Sequence, residues 1–126
     1  MKQDYLEKAK ENLNAARMLF DAGLHNASAN RAYYAAFHAA IAALSDAGIK
    51  MDNTNHKNVQ ALFSGELIRR RKVYSGSLRS YLMVMQEVRN EADYRPGSIS
   101  KKVTQRQLTK AVEFVDAVTQ RFEEKR

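Results

Sequence analysis

Apolar residues recur at steps of three and four along almost the whole of this chain, and very little interrupts them. In 126 residues there is one proline, Pro96, and only five scattered glycines. Proline breaks a helix by removing a backbone donor, and strand-rich folds need frequent turn residues. A chain so poor in both is confined to long helices.

The stripes can be read in order. Leu6, Ala9, Leu13, Ala16 and Phe20 mark one face of a helix from about Asp4 to Ala22, with Gly23 as its stop. A second helix is expected from a cap at Asn26 to about Ala47, before Gly48. Its many alanines, Ala29, Ala32, Ala35, Ala36, Ala39, Ala40, Ala42 and Ala43, let neighbours approach from all sides and mark it as the central helix. Residues 49–57 read as a loop, with Asp52, Asn53, Thr54 and Asn55 supplying turn chemistry. A short helix from Lys57 to Ile68 would bury Val59, Leu62, Phe63 and Leu67, followed by a basic connector, Arg69-Arg70-Arg71-Lys72. Helices from Ser77 to Asp93 and from Thr104 to Glu124 complete the series, separated by the break Tyr94-Arg95-Pro96-Gly97-Ser98. Leu78, Tyr81, Leu82, Met85, Val88 and Ala92 face inward on the first of these. Leu108, Ala111, Val112, Val115, Val118 and Phe122 do so on the second. Each stripe needs a partner, so the expected fold is all-α. It is an antiparallel, up-and-down bundle of about five helices, one domain over 1–126 with no internal repeat.

Composition narrows the chemistry. A net charge of +7 suits polyanions such as RNA, DNA, nucleotides, an acidic partner or an anionic membrane surface, although basicity for solubility alone gives the same sum. The absence of cysteine excludes disulfides, thiolate metal sites and cysteine nucleophiles. No apolar run reaches the about 20 residues that cross a bilayer, and Met1-Lys2-Gln3-Asp4 lacks the apolar core of a signal peptide. A cytoplasmic protein without membrane contact is expected. No Glu-x-x-His pair, Gly-rich phosphate loop or Gly-x-Ser-x-Gly elbow is present, so neither metal nor cofactor is expected.

Two clusters of polar residues stand out. Arg31, Tyr34 and His38 share one face of the central helix, beside a core face of Tyr33, Phe37, Ala40 and Leu44. Arginine and histidine turned inward need partners. An arginine held by a carboxylate and a histidine bonded to a carbonyl would supply them without any function. At the end of the fourth helix stands Arg89-Asn90-Glu91-Ala92-Asp93-Tyr94. Arg89 and Asp93 are four apart, and a surface ion pair of about 0.3–0.5 kcal/mol would explain them.

The run R-A-Y-Y-A-A-F-H-A-A at 31–40, then N-H-K at 55–57, then R-N-E-A-D-Y at 89–94 before Pro96-Gly97, resembles the HEPN family. More narrowly it is similar to small stand-alone members whose fourth helix ends in an arginine and an Ala-Asp-Tyr. The likeness runs from about Asp4 to Phe122. It implies a five-helix bundle that pairs into a homodimer. It also implies work beside a minimal nucleotidyltransferase, as antitoxin partner, in toxin–antitoxin or defence pairs. Many members are metal-independent RNases whose signature is an arginine, usually with a polar residue after it, followed a few residues later by histidine. Arg89-Asn90 fits the opening, but Tyr94, Arg95 and Pro96 stand where the histidine belongs, and no histidine follows Arg89.

Histidine suits proton transfer because its pKa is about 6.5, whereas tyrosine at about 10 is a poor base near neutrality. Arg89 supplies a forked, permanently charged grip on phosphate oxygens. Asn90 and Asp93 would orient the phosphate, and Tyr94 would stack on a base or donate a hydrogen bond. Arg31, Tyr34 and His38 would complete the pocket, and His38 or His56 would restore acid/base chemistry if either faced Arg89. His25 is expected in an exposed turn. Arg69, Arg70, Arg71 and Lys72, together with Lys101, Lys102, Arg106 and Lys110, would add salt-dependent affinity for nucleic acid, or are solvated surface. Two readings follow: a HEPN-type toxin or defence component acting on RNA, and a non-catalytic nucleotide- or RNA-binding accessory subunit of a nucleotidyltransferase. A purely structural role for Arg89 is the third.

Overall fold

Alanine decides the architecture. The computed structural model describes residues 2–125, and its central helix α2 (His25–Asp46) is packed on three sides. Its neighbours are α1 (Lys2–Asp21), α4 (Ser77–Tyr94) and α5 (Lys101–Glu124). Ala32, Ala35, Ala36, Ala39, Ala40 and Ala42 are wholly buried. A short α3 (His56–Leu62) bridges toward α4. The chain is an all-α bundle, and no helix among the described residues is long and apolar enough to cross a membrane.

Side-chain ties at the helix ends give the directions. Lys2 at the start of α1 and Lys125 after α5 both reach Asp46 at the end of α2, each at 3.0 Å. At the opposite end, Ser28 donates to the Ala16 carbonyl at 2.7 Å, and Asn26 holds the turn between α4 and α5. So α1 and α4 run antiparallel to α2, and α5 runs parallel to it. Burial pushes the Asp46 carboxyl up, but hydrogen bonds and charge from Lys125 and Lys2 together bring it below the usual range.

The core follows the stripes. Leu6, Ala9, Leu13 and Ala16 of α1 meet Leu82 and Met85 of α4 and Ala111, Val115 and Val118 of α5 in one cluster around α2. Tyr81, Val88, Val112 and Phe122, expected inside, are half-buried, whereas Phe114 is fully buried.

Four local expectations are corrected. Asn26 does not cap α2, which begins at His25 after Leu24 with no side-chain cap. Its amide instead donates to the Gly97 carbonyl and accepts from the Ile99 N–H, both at 3.0 Å. The long-range bonds satisfy backbone groups left open by the Pro96-Gly97 break, which a local cap would not. His25 lies in the first turn of α2, half-buried against Phe20, rather than in an exposed turn. Helix α5 starts three residues before the expected Thr104, because Ser100 accepts from the Val103 N–H and caps it.

The third helix departs furthest. It is capped by Asn55, which accepts from the Asn58 N–H, and at Phe63 it widens into π-type turns that continue to Arg70. Arg69 and Arg70 therefore end a helix rather than lying in a connector. Gly65 weakens the α preference there, and Phe63 and Leu67 are both fully buried in this stretch. Lys72, at φ +53°, makes the tight turn after it.

Candidate functional site

A small satellite core sets the site. Ala29 on α2 packs with Ala92 on α4 beside Ile99, and the two alanines let the helices come close. The antiparallel register then pairs residues four apart on each helix. Asn30 donates to Asp93 Oδ2 at 2.8 Å, and one turn further Tyr34 Oη accepts from Arg89 at 3.0 Å.

Arg89 is held on three sides. One terminal nitrogen donates to Tyr34, the other to Asn90 Oδ1 at 3.1 Å, and Nε lies 3.0 Å from Asp93 Oδ2. That last contact is a charge contact rather than an aligned hydrogen bond, since buried Nε has no hydrogen-bond acceptor. A guanidinium carries five N–H groups, so each terminal nitrogen keeps one N–H without a protein partner among the described residues. The side chain is 15% exposed, enough to meet a ligand and little enough to be held in place.

Tyr34 is the hub. The Arg31 guanidinium lies 4.9 Å and that of Arg89 5.4 Å from its ring centre, while the His38 and His56 rings stand 6.0 and 5.9 Å away. Arg31 is fixed by Asn30 Oδ1 through Nε at 2.9 Å and by Asn12 Oδ1 at 3.0 Å. The Asn12 amide nitrogen lies 3.1 Å from His38 Nδ1. His56 Nδ1 lies 2.6 Å from the Tyr33 hydroxyl, and its ring stacks at 4.6 Å from Phe37. Gln60 donates both to Tyr33 Oη at 3.3 Å and to Gln86 Oε1 at 2.6 Å.

The electrostatics match this crowding of cations. Burial, then the charges of Lys8 and Arg31, push His38 below its ordinary value. Burial, then the charge of Arg89, does the same to His56. Burial raises the Tyr33 phenol to about 12, against lowering contributions from Gln60 and Arg89.

Tyr94 behaves differently. Its ring sits 5.6 Å from the Arg89 guanidinium and is 74% exposed, a large aromatic left in water beside a cation. It borders an open depression of about 560 Å³ with Glu87, Asn90, Glu91 and Arg95. The two glutamates there favour contact along the Arg89–Tyr94 edge over a phosphate seated in the hollow.

A model of the HEPN domain matches residues 2–125. The chain belongs to the HEPN family. It is also similar to the UPF0332 protein glr0978 of Gloeobacter violaceus (strain ATCC 29082 / PCC 7421), 35% identical over 65 residues. That stretch is 52% of this chain and 50% of the relative, so the chain spans about half the length of the curated relative it matches.

Within this HEPN chain, the residues singled out in the sequence divide. Arg31, Tyr34, His38, His56, Arg89, Asn90, Asp93 and Tyr94 come together around Tyr34. The basic run does not join them as a unit. Arg70 is paired with Glu66 at 2.8 Å, and Arg71 donates to the Ala47 carbonyl at the far end of α2. From Arg31 to Ala47 is roughly 24 Å along a helix at about 1.5 Å per residue, too far for one phosphate. Arg69 shares a shallow depression with Gln60, Arg79 and Met83, and Lys72 is exposed.

Asn12, Asn30, Tyr33, Gln60 and Gln86 also belong to the cluster and are not evident from the sequence pattern. The only signal is local: Asn30 directly precedes Arg31 and lies one helical turn from Tyr34. Among the described residues no group of three or more His, Cys, Asp or Glu side chains could hold a metal ion.

Proposed function

We propose that this HEPN chain is a toxin or defence component that acts on RNA, with Arg89 gripping a backbone phosphate. The observation that carries the reading is the held but incomplete guanidinium. Three neighbours orient Arg89, yet one N–H on each terminal nitrogen is left for the bidentate geometry that suits a phosphate. Tyr94, exposed at its side, offers a stacking face to an unpaired base. Asn90 and Asp93 orient the arginine, and the phosphate only through it. Arg31 and His38 extend the donor surface along α2, and His56 does so from the start of α3. A nucleotidyltransferase antitoxin and a second copy of the chain are the partners proposed with this reading, and the net charge of +7 suits the polyanion.

Within this reading the chain is a metal-independent endoribonuclease if another group supplies the base that the histidine absent after Arg89 would have been, with His56, which feels the Arg89 charge, as a donor to the phosphate. A second reading, a non-catalytic nucleotide- or RNA-binding subunit of a nucleotidyltransferase, is favoured by the absence of any histidine after Arg89.

The test is incubation of the purified protein with a mixed RNA pool in EDTA, beside Arg89→Ala. Cleavage leaving 2′,3′-cyclic phosphate ends, lost in the variant, establishes the nuclease. Salt-sensitive binding without cleavage, also lost in the variant, establishes the binding subunit. Neither activity in the wild type overturns both and leaves Arg89 a structural residue.

A further inference from the structure

The two histidines that flank Tyr34 have their Nδ1 atoms engaged by groups of different origin, and in both cases the partner's chemistry decides which ring nitrogen carries the proton. Consider His38 first. Arginine has no acceptor, so the Asn12 atom that receives Arg31 must be the carbonyl oxygen, and the atom facing His38 must be the amide nitrogen. The same nitrogen also donates to the Lys8 carbonyl at 3.0 Å, which uses its other hydrogen. An amide nitrogen only donates, so His38 Nδ1 accepts and the ring proton lies on Nε2.

His56 reaches the same state by another route. Tyr33 is wholly buried, and its oxygen already accepts from Gln60, whose second N–H is spent on Gln86. The phenol proton has one acceptor within reach, His56 Nδ1 at 2.6 Å. If His56 carried a proton on Nδ1, the buried phenol hydrogen would have no partner, which costs about 1–3 kcal/mol. Neither Nε2 has a protein partner among the described residues, and neither is sealed from solvent.

We propose that Asn12 and Tyr33 are positioning residues that hold His38 and His56 as neutral Nε2–H tautomers. The two imidazoles thereby serve the site as hydrogen-bond donors to a phosphodiester, rather than as proton acceptors. This rests on the reading of the Arg89 cluster as a phosphate site and gives it a chemistry. Arg31, Arg89 and two neutral imidazoles all donate and none accepts, which complements a phosphate's non-bridging oxygens. A neutral imidazole in this state can polarise an oxygen as an electrophile without transferring a proton. Any cleavage would then draw its base from outside the two rings.

Nitrogen-15 NMR of the full chain, labelled at histidine and recorded near pH 7, reads the tautomers directly. The expected spectrum shows Nδ1 unprotonated and Nε2 protonated on both rings. Asn12→Asp replaces a donor by an acceptor facing His38 and should move that ring's proton to Nδ1, leaving His56 unchanged. Tyr33→Phe should release His56 into a tautomer mixture, leaving His38 unchanged, and weaken RNA binding about two- to fivefold. A short single-stranded RNA added to the wild type should shift both Nε2 signals. A proton on Nδ1 of either ring in the wild type, or no change of tautomer in Asn12→Asp, overturns the inference even if RNA binds through Arg89. Correct tautomers with RNA bound but both Nε2 signals unmoved overturn the donor role alone. Correct tautomers in a protein that binds no RNA overturn the proposed function instead.

Discussion

Arg89 on α4 donates to the hydroxyl of Tyr34 on α2 at 3.0 Å, and its guanidinium lies 5.4 Å from the centre of the same ring. Fifty-five positions apart in the chain, the two residues meet because α4 runs back along α2 in a register set by Ala29 against Ala92. Tyr34 thus presents Arg89 with an oxygen to bond and a face to lie over. The arrangement orients a permanent charge while covering it with only one carboxylate, Asp93.

Lysine cannot reproduce that arrangement. Arg89→Lys keeps the charge but loses the fork that reaches Tyr34, Asn90 and Asp93 together. It should lower RNA affinity at least about tenfold, measured by filter binding or fluorescence anisotropy. Arg89→Ala should in addition cost about 1–3 kcal/mol in chemical denaturation, since Asp93 is left without its cation. Equal affinity for the lysine variant and the wild type would remove the fork from the account.

Tyr94 should separate binding from folding. At 74% exposure it has little packing to lose, so Tyr94→Ala should leave the melting temperature within a degree or so. The same variant should weaken single-stranded RNA binding by about 1–3 kcal/mol, and Tyr94→Phe should retain most of it, because the ring face does the stacking. Loss in the phenylalanine variant would assign the role to the hydroxyl.

The histidines predict the acid side of the stability profile. His38 and His56 both titrate below their unfolded value of about 6.5. Below that pH the unfolded chain takes up protons that the folded chain refuses. The stabilisation is therefore complete above about pH 6.5 and falls as the pH drops through the window between the unfolded and folded values. Asp46, also lowered, contributes its loss only further down, below the ordinary carboxylate range. Urea midpoints at pH 7.5 and 5.5 should differ, and the difference should shrink in a His38→Gln, His56→Gln double variant. An unchanged slope in that variant would show that the two rings are not the source.

Asn26 should act far from its own helix. Its amide satisfies the Gly97 carbonyl and the Ile99 N–H across 71 and 73 positions. Asn26→Ala should cost about 1–2 kcal/mol and speed hydrogen exchange at the Ile99 amide more than in the body of α2. If exchange there stayed slow, the turn would be held by other contacts.

The alanines of α2 should tolerate no enlargement. Ala36 and Ala39 are fully buried where other helices close on α2. Ala39→Leu should lower stability by about 1–3 kcal/mol through overpacking, although leucine is an excellent helix former. A neutral effect by thermal melting would mean that space remains beside the central helix.

Much of the fold was legible because its determinants are local. The period of the apolar residues, Gly23 and Gly48 as stops and the alanine-rich centre are properties of neighbouring residues, and the structure places the helices where they point. The third helix was less legible, because nothing local in the sequence marks Phe63 as the point where it widens into π-type turns. The role of Asn26 was not legible either. An asparagine ahead of an alanine-rich run reads as a cap, but its partners lie in a turn that arrives only when the bundle closes.

For the site, the sequence by itself determined the helices, the face shared by Arg31, Tyr34 and His38, and the family to which the motifs belong. It also determined that no histidine follows Arg89 along the chain. Only the tertiary structure decided that Arg89 meets Tyr34 and that His56, from the start of α3, stands against the same ring. It alone shows that Asn12 and Tyr33 engage the two imidazoles. The physical reason is range. Helical periodicity is written in residues three and four apart, whereas the protonation and orientation of a polar side chain depend on whichever donors and acceptors packing brings to it.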